Sequence, residues 1–312
     1  MKISVFGMGR VGAATAFALV ARGVPHDLVL VGRTVEKSMG DAQDLLHAAA
    51  LGRPIQVRAG DVEETADSDI VLLCASASKK TLGDRLEAAE VNARLFEEIV
   101  PPLAQASPDA IFVVLTNPVD VCTYVALRAS KFPPGKVMGT GTLIDTARLR
   151  ALLSRETGVN AADIRAYVLG EHGESQFPAL SIASIGGERL ESDTAAIRSL
   201  VDEARQGGEQ VARIKGYTNY AVALSATVIC EAIANDTKAV LPVSTLVDGF
   251  KGVRDVCLSL PCVVGRGGVE RVLSIELNDA ETAQFRHGAA VIRAALDRVG
   301  SRTQPRMEHG SD

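Results

Sequence analysis

His172 stands in Gly170-Glu171-His172-Gly173-Glu174-Ser175, directly after an apolar strand. A ring presented at a strand end between glycines is where a general acid or base would meet a ligand. A lone histidine serves structure as often as chemistry, so the position by itself leaves both roles open. The other four histidines are placed less suggestively: His26 in a turn, His47 and His287 on helices, and His309 in a polar tail. Asp145 and Arg148 stand three residues apart at the start of a long helical segment and so face one side. That face could offer a carboxylate to His172 and a guanidinium to a carboxylate substrate. The same spacing also fits a surface ion pair. Arg150 falls on a different face and reads as structural.

A second constellation opens the chain. The strand Ile3–Phe6 runs into Gly7-Met8-Gly9-Arg10-Val11-Gly12, and another strand, Asp27–Val31, follows at the distance a βαβ unit requires. Gly7 permits the tight turn, Gly9 lets the backbone approach a pyrophosphate, and Gly12 allows close helix–strand packing. Unpaired N–H groups at the following helix N-terminus would face the phosphates. About 20 residues on, NAD-binding proteins carry an acidic residue for the ribose hydroxyls; here the run is Gly32-Arg33-Thr34. Loss of the carboxylate, a guanidinium that can grip a phosphate and an added hydroxyl together predict preference for NADP, with NAD as the alternative.

These groups need a frame, and the apolar periodicity supplies one. Short β-branched runs at Ile3–Phe6, Asp27–Val31, Ile55–Arg58, Ile70–Cys74, Ile111–Leu115 and Val137–Met138 alternate with amphipathic segments. They predict an α/β Rossmann fold, a doubly wound parallel sheet covered on both faces. A helix is expected over Arg85–Val100, ended by Pro101-Pro102. After Gly139-Thr140-Gly141 the character changes to a helix (Asp145–Thr157), a strand (Ile164–Leu169) and a helix rich in small residues (Ala221–Asn235). Antiparallel-looking strands (Ala239–Asp248, Asp255–Val264, Val269–Ser274) and a closing helix (Asp279–Val299) complete it. The expected division is a dinucleotide-binding domain over 1–142, an α+β substrate domain over 143–300, and a disordered tail over 301–312.

Composition narrows the partners. In 312 residues, 47% apolar content suffices for a core, and a net charge of −5 disfavours nucleic acid and anionic membranes. Strand 1 begins at residue 2, which leaves no room for a leader, so the expectation is a soluble, cytoplasmic protein. Cys74, Cys122, Cys230, Cys257 and Cys262 are scattered without a Cys-x-x-Cys pair, which suits buried thiols and no metal. None of the four tyrosines is followed four residues later by Lys, which speaks against short-chain dehydrogenase chemistry.

The run Thr116-Asn117-Pro118-Val119-Asp120 after a strand, then Leu143-Ile144-Asp145-Thr146-Ala147-Arg148, then Gly170-Glu171-His172-Gly173, resembles the lactate/malate dehydrogenase superfamily. Lys215-Gly216-Tyr217-Thr218 and Arg266-Gly267-Gly268 extend the resemblance to about residue 299. With Gly32-Arg33 it is most similar to the NADP-using malate or L-2-hydroxycarboxylate dehydrogenases. The resemblance implies that Arg148 holds the substrate 1-carboxylate and that His172 exchanges a proton with the C2 oxygen. It implies that Asp145 orients the imidazole, Arg85 polarises the carbonyl, and Asn117 hydrogen-bonds the reacting oxygen or the adjacent carboxylate. Gly7, Gly9, Arg10, Val11, Gly12, Gly32, Arg33, Thr34, Asn92 and Asn117 would line the cofactor. Lys79 falls at the position that discriminates substrates, and its charge suggests a second anionic group; Thr218 would line the same pocket.

The expected function is therefore NADP-dependent interconversion of a 2-oxo acid and an L-2-hydroxy acid, with oxaloacetate/malate first, by hydride transfer with a His-Asp proton relay. Alternatives are an NAD-dependent malate or lactate-type enzyme, one acting on a specialised 2-oxo acid, or a catalytically retired nucleotide-binding protein. The implied assembly is a homodimer or homotetramer whose partner is a small-molecule acid.

Overall fold

The computed structural model describes residues 1–77, 85–190 and 194–303. The first part alternates β1 (Lys2–Phe6), α1 (Arg10–Arg22), β2 (Asp27–Val31), α2 (Val35–Ala49), β3 (Gln56–Ala59), β4 (Ile70–Leu73), α3 (Arg85–Ala106), β5 (Ile111–Val114), α4 (Val119–Ser130) and β6 (Val137–Gly139). The six strands run parallel in the order β3-β2-β1-β4-β5-β6. The chain reverses its direction of winding between β1 and β4, which opens a crevice beyond their C-terminal ends. The central strands are buried on both faces, with Ile3, Val5, Leu28, Leu30, Ile70 and Leu72 fully covered. Helices on both sides explain why these strands read as continuous apolar runs.

The second part contains α5 (Leu143–Thr157), β7 (Ile164–Arg165), β8 (Val168–Leu169), β9 (Phe177–Pro178), β10 (Ser184–Ile185), β11 (Glu188–Arg189), α6 (Ala195–Lys215), α7 (Tyr220–Ala234), β12 (Ala239–Asp248), β13 (Arg254–Gly265), β14 (Gly268–Val272) and α8 (Asp279–Thr303). Strands β12, β13 and β14 are antiparallel and continue the first sheet past β6, making nine strands in all. A smaller cluster, with Leu149, Leu153, Ile164, Ile197 and Leu200 at its centre, joins α5 to α6. No helix among the described residues is long and apolar enough to cross a membrane.

Four elements depart most from expectation. Helix α3 continues through Pro101 and Pro102 to Ala106. The carbonyls that lose their partners belong to Glu97 and Glu98, both exposed residues, where solvent can stand in for the missing donors. The single strand expected over 164–169 divides, because β7 pairs with β10 whereas β8 pairs with β9. Helix α6 is an addition; Thr194 caps it by accepting from the Ile197 N–H at 3.2 Å. The closing helix extends to Thr303, and the rest of the expected disordered tail lies outside the described residues.

Candidate active site

The glycine loop lies at the crevice, and its three glycines are required for different reasons. Gly7 adopts φ +106°, and a Cβ there would stand 2.3 Å from the Ala75 nitrogen. A Cβ at Gly12 would stand 2.1 Å from the Gly7 carbonyl oxygen. Gly9 has open space around it, as approach by a ligand requires. No side chain caps the start of α1, so its first N–H groups remain available to an anion. Arg10 begins that helix, with its guanidinium carbon 4.2 Å from the ring centroid of Tyr217. This contact brings the glycine loop alongside Thr218, which is half-buried between α6 and α7.

The loop carrying His172 is pinned from several directions. Thr142 and Thr146 hold β8: the Thr142 hydroxyl donates to the Val168 carbonyl at 2.5 Å, and Thr146 Oγ1 accepts from the Val168 N–H at 2.9 Å. Gly170 exchanges backbone hydrogen bonds with Ser259 of β13, at 3.0 and 2.9 Å. Beneath the turn, Asp120 of α4 accepts the His172 N–H at 2.7 Å and the Ser244 hydroxyl at 2.6 Å. Asp120 is 1% exposed, and burial pushes its pKa up to about 6 against those two donors.

Asp145 is the hub of the site. Its Oδ2 meets His172 Nδ1 at 2.7 Å and its Oδ1 accepts from Arg148 Nη1 at 2.7 Å, while the Gln176 side chain lines the same cavity. Burial alone would raise this carboxyl, but the charge and hydrogen bond of His172 and the charge of Arg148 hold it below the ordinary range. For His172, burial disfavours the imidazolium; the charge of Asp145, its hydrogen bond and the charge of Asp120 outweigh that and raise the pKa. The site thus holds an ionised carboxylate beside an imidazole biased toward its charged form, with a guanidinium on the same hub. Such an arrangement can bind a carboxylate and pass a proton to a neighbouring oxygen.

The other expected residues occupy nearby loops. Asn117 is exposed just beyond β5, and its carbonyl accepts from Asn92 Nδ2 at 2.7 Å. Asn92 also accepts the Ala77 N–H at 2.8 Å, so its buried amide joins the loops after β4 and β5. Arg85 opens α3, and Lys79 lies outside the described residues. Arg150, as expected, has a packing role, with Nε donating to the Ala166 carbonyl at 2.9 Å. Sequence reasoning missed Asp120, Ser244 and Gln176. Asp120 had a signal: it stands three residues past Asn117 at the start of a helix, where an inward carboxylate shares the strand-end position. Ser244 and Gln176 had none, because only tertiary packing brings them to the site.

The end of β2 requires a correction. The absent carboxylate is no evidence for a phosphate site: a Cβ at Gly32 would stand 2.3 Å from Ser38 Oγ and 3.3 Å from Met8 Cβ. The missing side chain thus has a packing explanation, and Arg33 and Thr34 are exposed turn residues.

Comparisons with known proteins favour the same correction. Two family models match, "lactate/malate dehydrogenase, NAD binding domain" over residues 1–139 and "lactate/malate dehydrogenase, alpha/beta C-terminal domain" over residues 142–302. An L-lactate dehydrogenase of Clostridium botulinum (strain Loch Maree / Type A3) is 37% identical over 305 residues, covering 95% of this chain and 96% of the relative. L-lactate dehydrogenase 1 of Clostridium acetobutylicum is 37% identical over 307 residues, covering 96% and 98%. The solved minor L-lactate dehydrogenase of Enterococcus mundtii superposes with a TM-score of 0.92 at 33% identity, covering 96% of this chain and 98% of that one. A lactate dehydrogenase from a Medee basin deep-sea metagenome library gives a TM-score of 0.92 at 31% identity, with the same coverage of 96% and 98%. The expectation of an NADP-dependent oxaloacetate/malate enzyme is thereby overturned in favour of its lactate-type alternative.

Proposed function

Because the chain belongs to the lactate/malate dehydrogenase family, and is accordingly an L-2-hydroxy acid dehydrogenase using a nicotinamide dinucleotide, we propose that it interconverts pyruvate and L-lactate with NAD. Residues 1–142 would hold the dinucleotide and residues 143–300 the acid. The observation that carries this reading is the Asp145 hub, which joins a proton-exchanging imidazole and a carboxylate-binding guanidinium through one buried carboxylate.

The glycine loop and the N-terminus of α1 fit a pyrophosphate, and the bound dinucleotide supplies the hydride. The chain's own residues do the rest. Arg148 grips the 2-oxo acid through its carboxylate in a bidentate pair. With His172 Nδ1 engaged by Asp145, Nε2 is the ring nitrogen that delivers a proton to the C2 oxygen. Asp145 stabilises the imidazolium beforehand, so that the charged acid is in place when a neutral carbonyl binds. Asn117 and Arg85 orient and polarise that oxygen, and Thr218 borders the side-chain end. Steady-state kinetics with pyruvate and NADH, with NADPH in parallel, test the proposal. Turnover that is better with NADH is the expected result. Absence of pyruvate reduction with either cofactor would sink the substrate assignment.

The pH dependence follows from the same charges. Pyruvate reduction needs protonated His172, whose pKa lies above the ordinary imidazole value. Activity should therefore persist through neutral pH and decline as pH rises through that raised value. In Asp145→Asn the charge that outweighs burial is gone, so the decline should move to lower pH and kcat/KM at pH 7 should fall about 100-fold or more. A pH–rate profile that does not move in the variant would exclude this role for Asp145.

A further inference from the structure

Helix α6 carries two adjacent glycines, Gly207 and Gly208, in its interior. Glycine is among the poorest helix formers, and two in succession weaken a helix. Neither terminates α6, which continues to Lys215. Both continue its inward stripe, which begins with buried Ile197, Leu200 and Ala204. Where the next apolar side chain would fall, the helix presents bare backbone.

Arg148 lies against that backbone. A Cβ on Gly208 would stand 3.2 Å from both Arg148 Nη1 and Nη2 and 3.4 Å from the guanidinium carbon. A Cβ on Gly207 would meet Arg148 Cδ at 3.4 Å. The opposite constraint is Asp145, 2.7 Å from Nη1. The guanidinium is therefore confined between a buried carboxylate and a helix without side chains, and a methyl group at residue 208 would press on the atoms that pair with a carboxylate.

We infer that Gly207 and Gly208 form a seat that fixes the plane of the Arg148 guanidinium for bidentate binding of the substrate carboxylate, with Gly208 the stricter position. This rests on the proposed role of Arg148. Two parallel N–H···O bonds demand a defined plane and distance, and small misplacements of a binding group weaken substrate capture steeply. The seat is thus a positioning device whose glycines trade helix stability for substrate geometry.

The test compares Gly208→Ala, Gly207→Ala and Gly40→Ala. Gly40 lies in the interior of α2, where a Cβ would have nothing within 4 Å. All three exchanges should raise Tm, by about 2 °C each. Gly208→Ala should raise KM for pyruvate about 10-fold with little change in kcat or in NADH affinity read by fluorescence titration. Gly207→Ala should raise KM about 3-fold, and Gly40→Ala should leave it unchanged. A stabilised Gly208→Ala with unaltered KM overturns the seat. So does a Gly208→Ala that lowers Tm or NADH affinity, because the glycine would then serve general packing. Arg148→Gln separates the two levels: unchanged KM in that variant refutes the reading of Arg148 itself, whereas raised KM there with normal KM in Gly208→Ala refutes the seat alone.

Discussion

Replacement of His172 by Asn should lower kcat for 2-oxo acid reduction by about 10²- to 10⁴-fold, the usual contribution of a positioned general acid. The reason is local. Asn preserves the backbone N–H that Asp120 accepts and can still donate a hydrogen bond toward Asp145, so the loop keeps its anchors. What it removes is the proton. Dinucleotide affinity should be unaltered, because the glycine loop at the start of α1 makes none of these contacts. Stopped-flow or steady-state rates, taken with circular dichroism to verify folding, check the expectation. Activity within about tenfold of the parent would mean that another group delivers the proton.

The second large effect concerns Arg148. Arg148→Gln should reduce kcat/KM for pyruvate by about 30- to 5000-fold, the cost of truncating one partner of a hydrogen-bonded charge pair. Asp145 also loses one of its donors, which strengthens its pull on His172 and should raise the imidazole pKa further. Arg148→Lys should fall between the two, since an ammonium keeps the charge but not the planar fork. The pattern to look for is a dominant rise in KM with NADH binding intact. Equal loss for 2-oxo acids and for substrates lacking a carboxylate would argue against the assignment.

Much of this site was legible because its chemistry is written in local sequence. The glycine spacing, the i, i+3 pair Asp145/Arg148 and the strand-end His172 each declare themselves within a few residues, and the alternation of apolar runs declares the parallel sheet. Other parts depend on contacts between distant segments. Helix α6 was obscured by the glycine pair in its middle, which breaks the apolar period where Arg148 needs room. Asp120 and Ser244 come together from positions 124 residues apart. Gly32 misled for the same reason: a missing carboxylate suggests NADP until Ser38, one turn into α2, is seen to lie where a side chain at residue 32 would begin.

The continuity of the nine-stranded sheet has a consequence for the order in which the chain is made. β6 ends at Gly139, whereas β12, which covers its outer edge, begins at Ala239. On a ribosome, the sheet built from the first six strands waits with an open, apolar edge while the intervening chain is synthesised, on the order of ten seconds at ordinary elongation rates. An uncovered edge strand is a template for pairing with another chain. The nascent protein is therefore most vulnerable to aggregation in that interval, and the β12–β13 hairpin ends it.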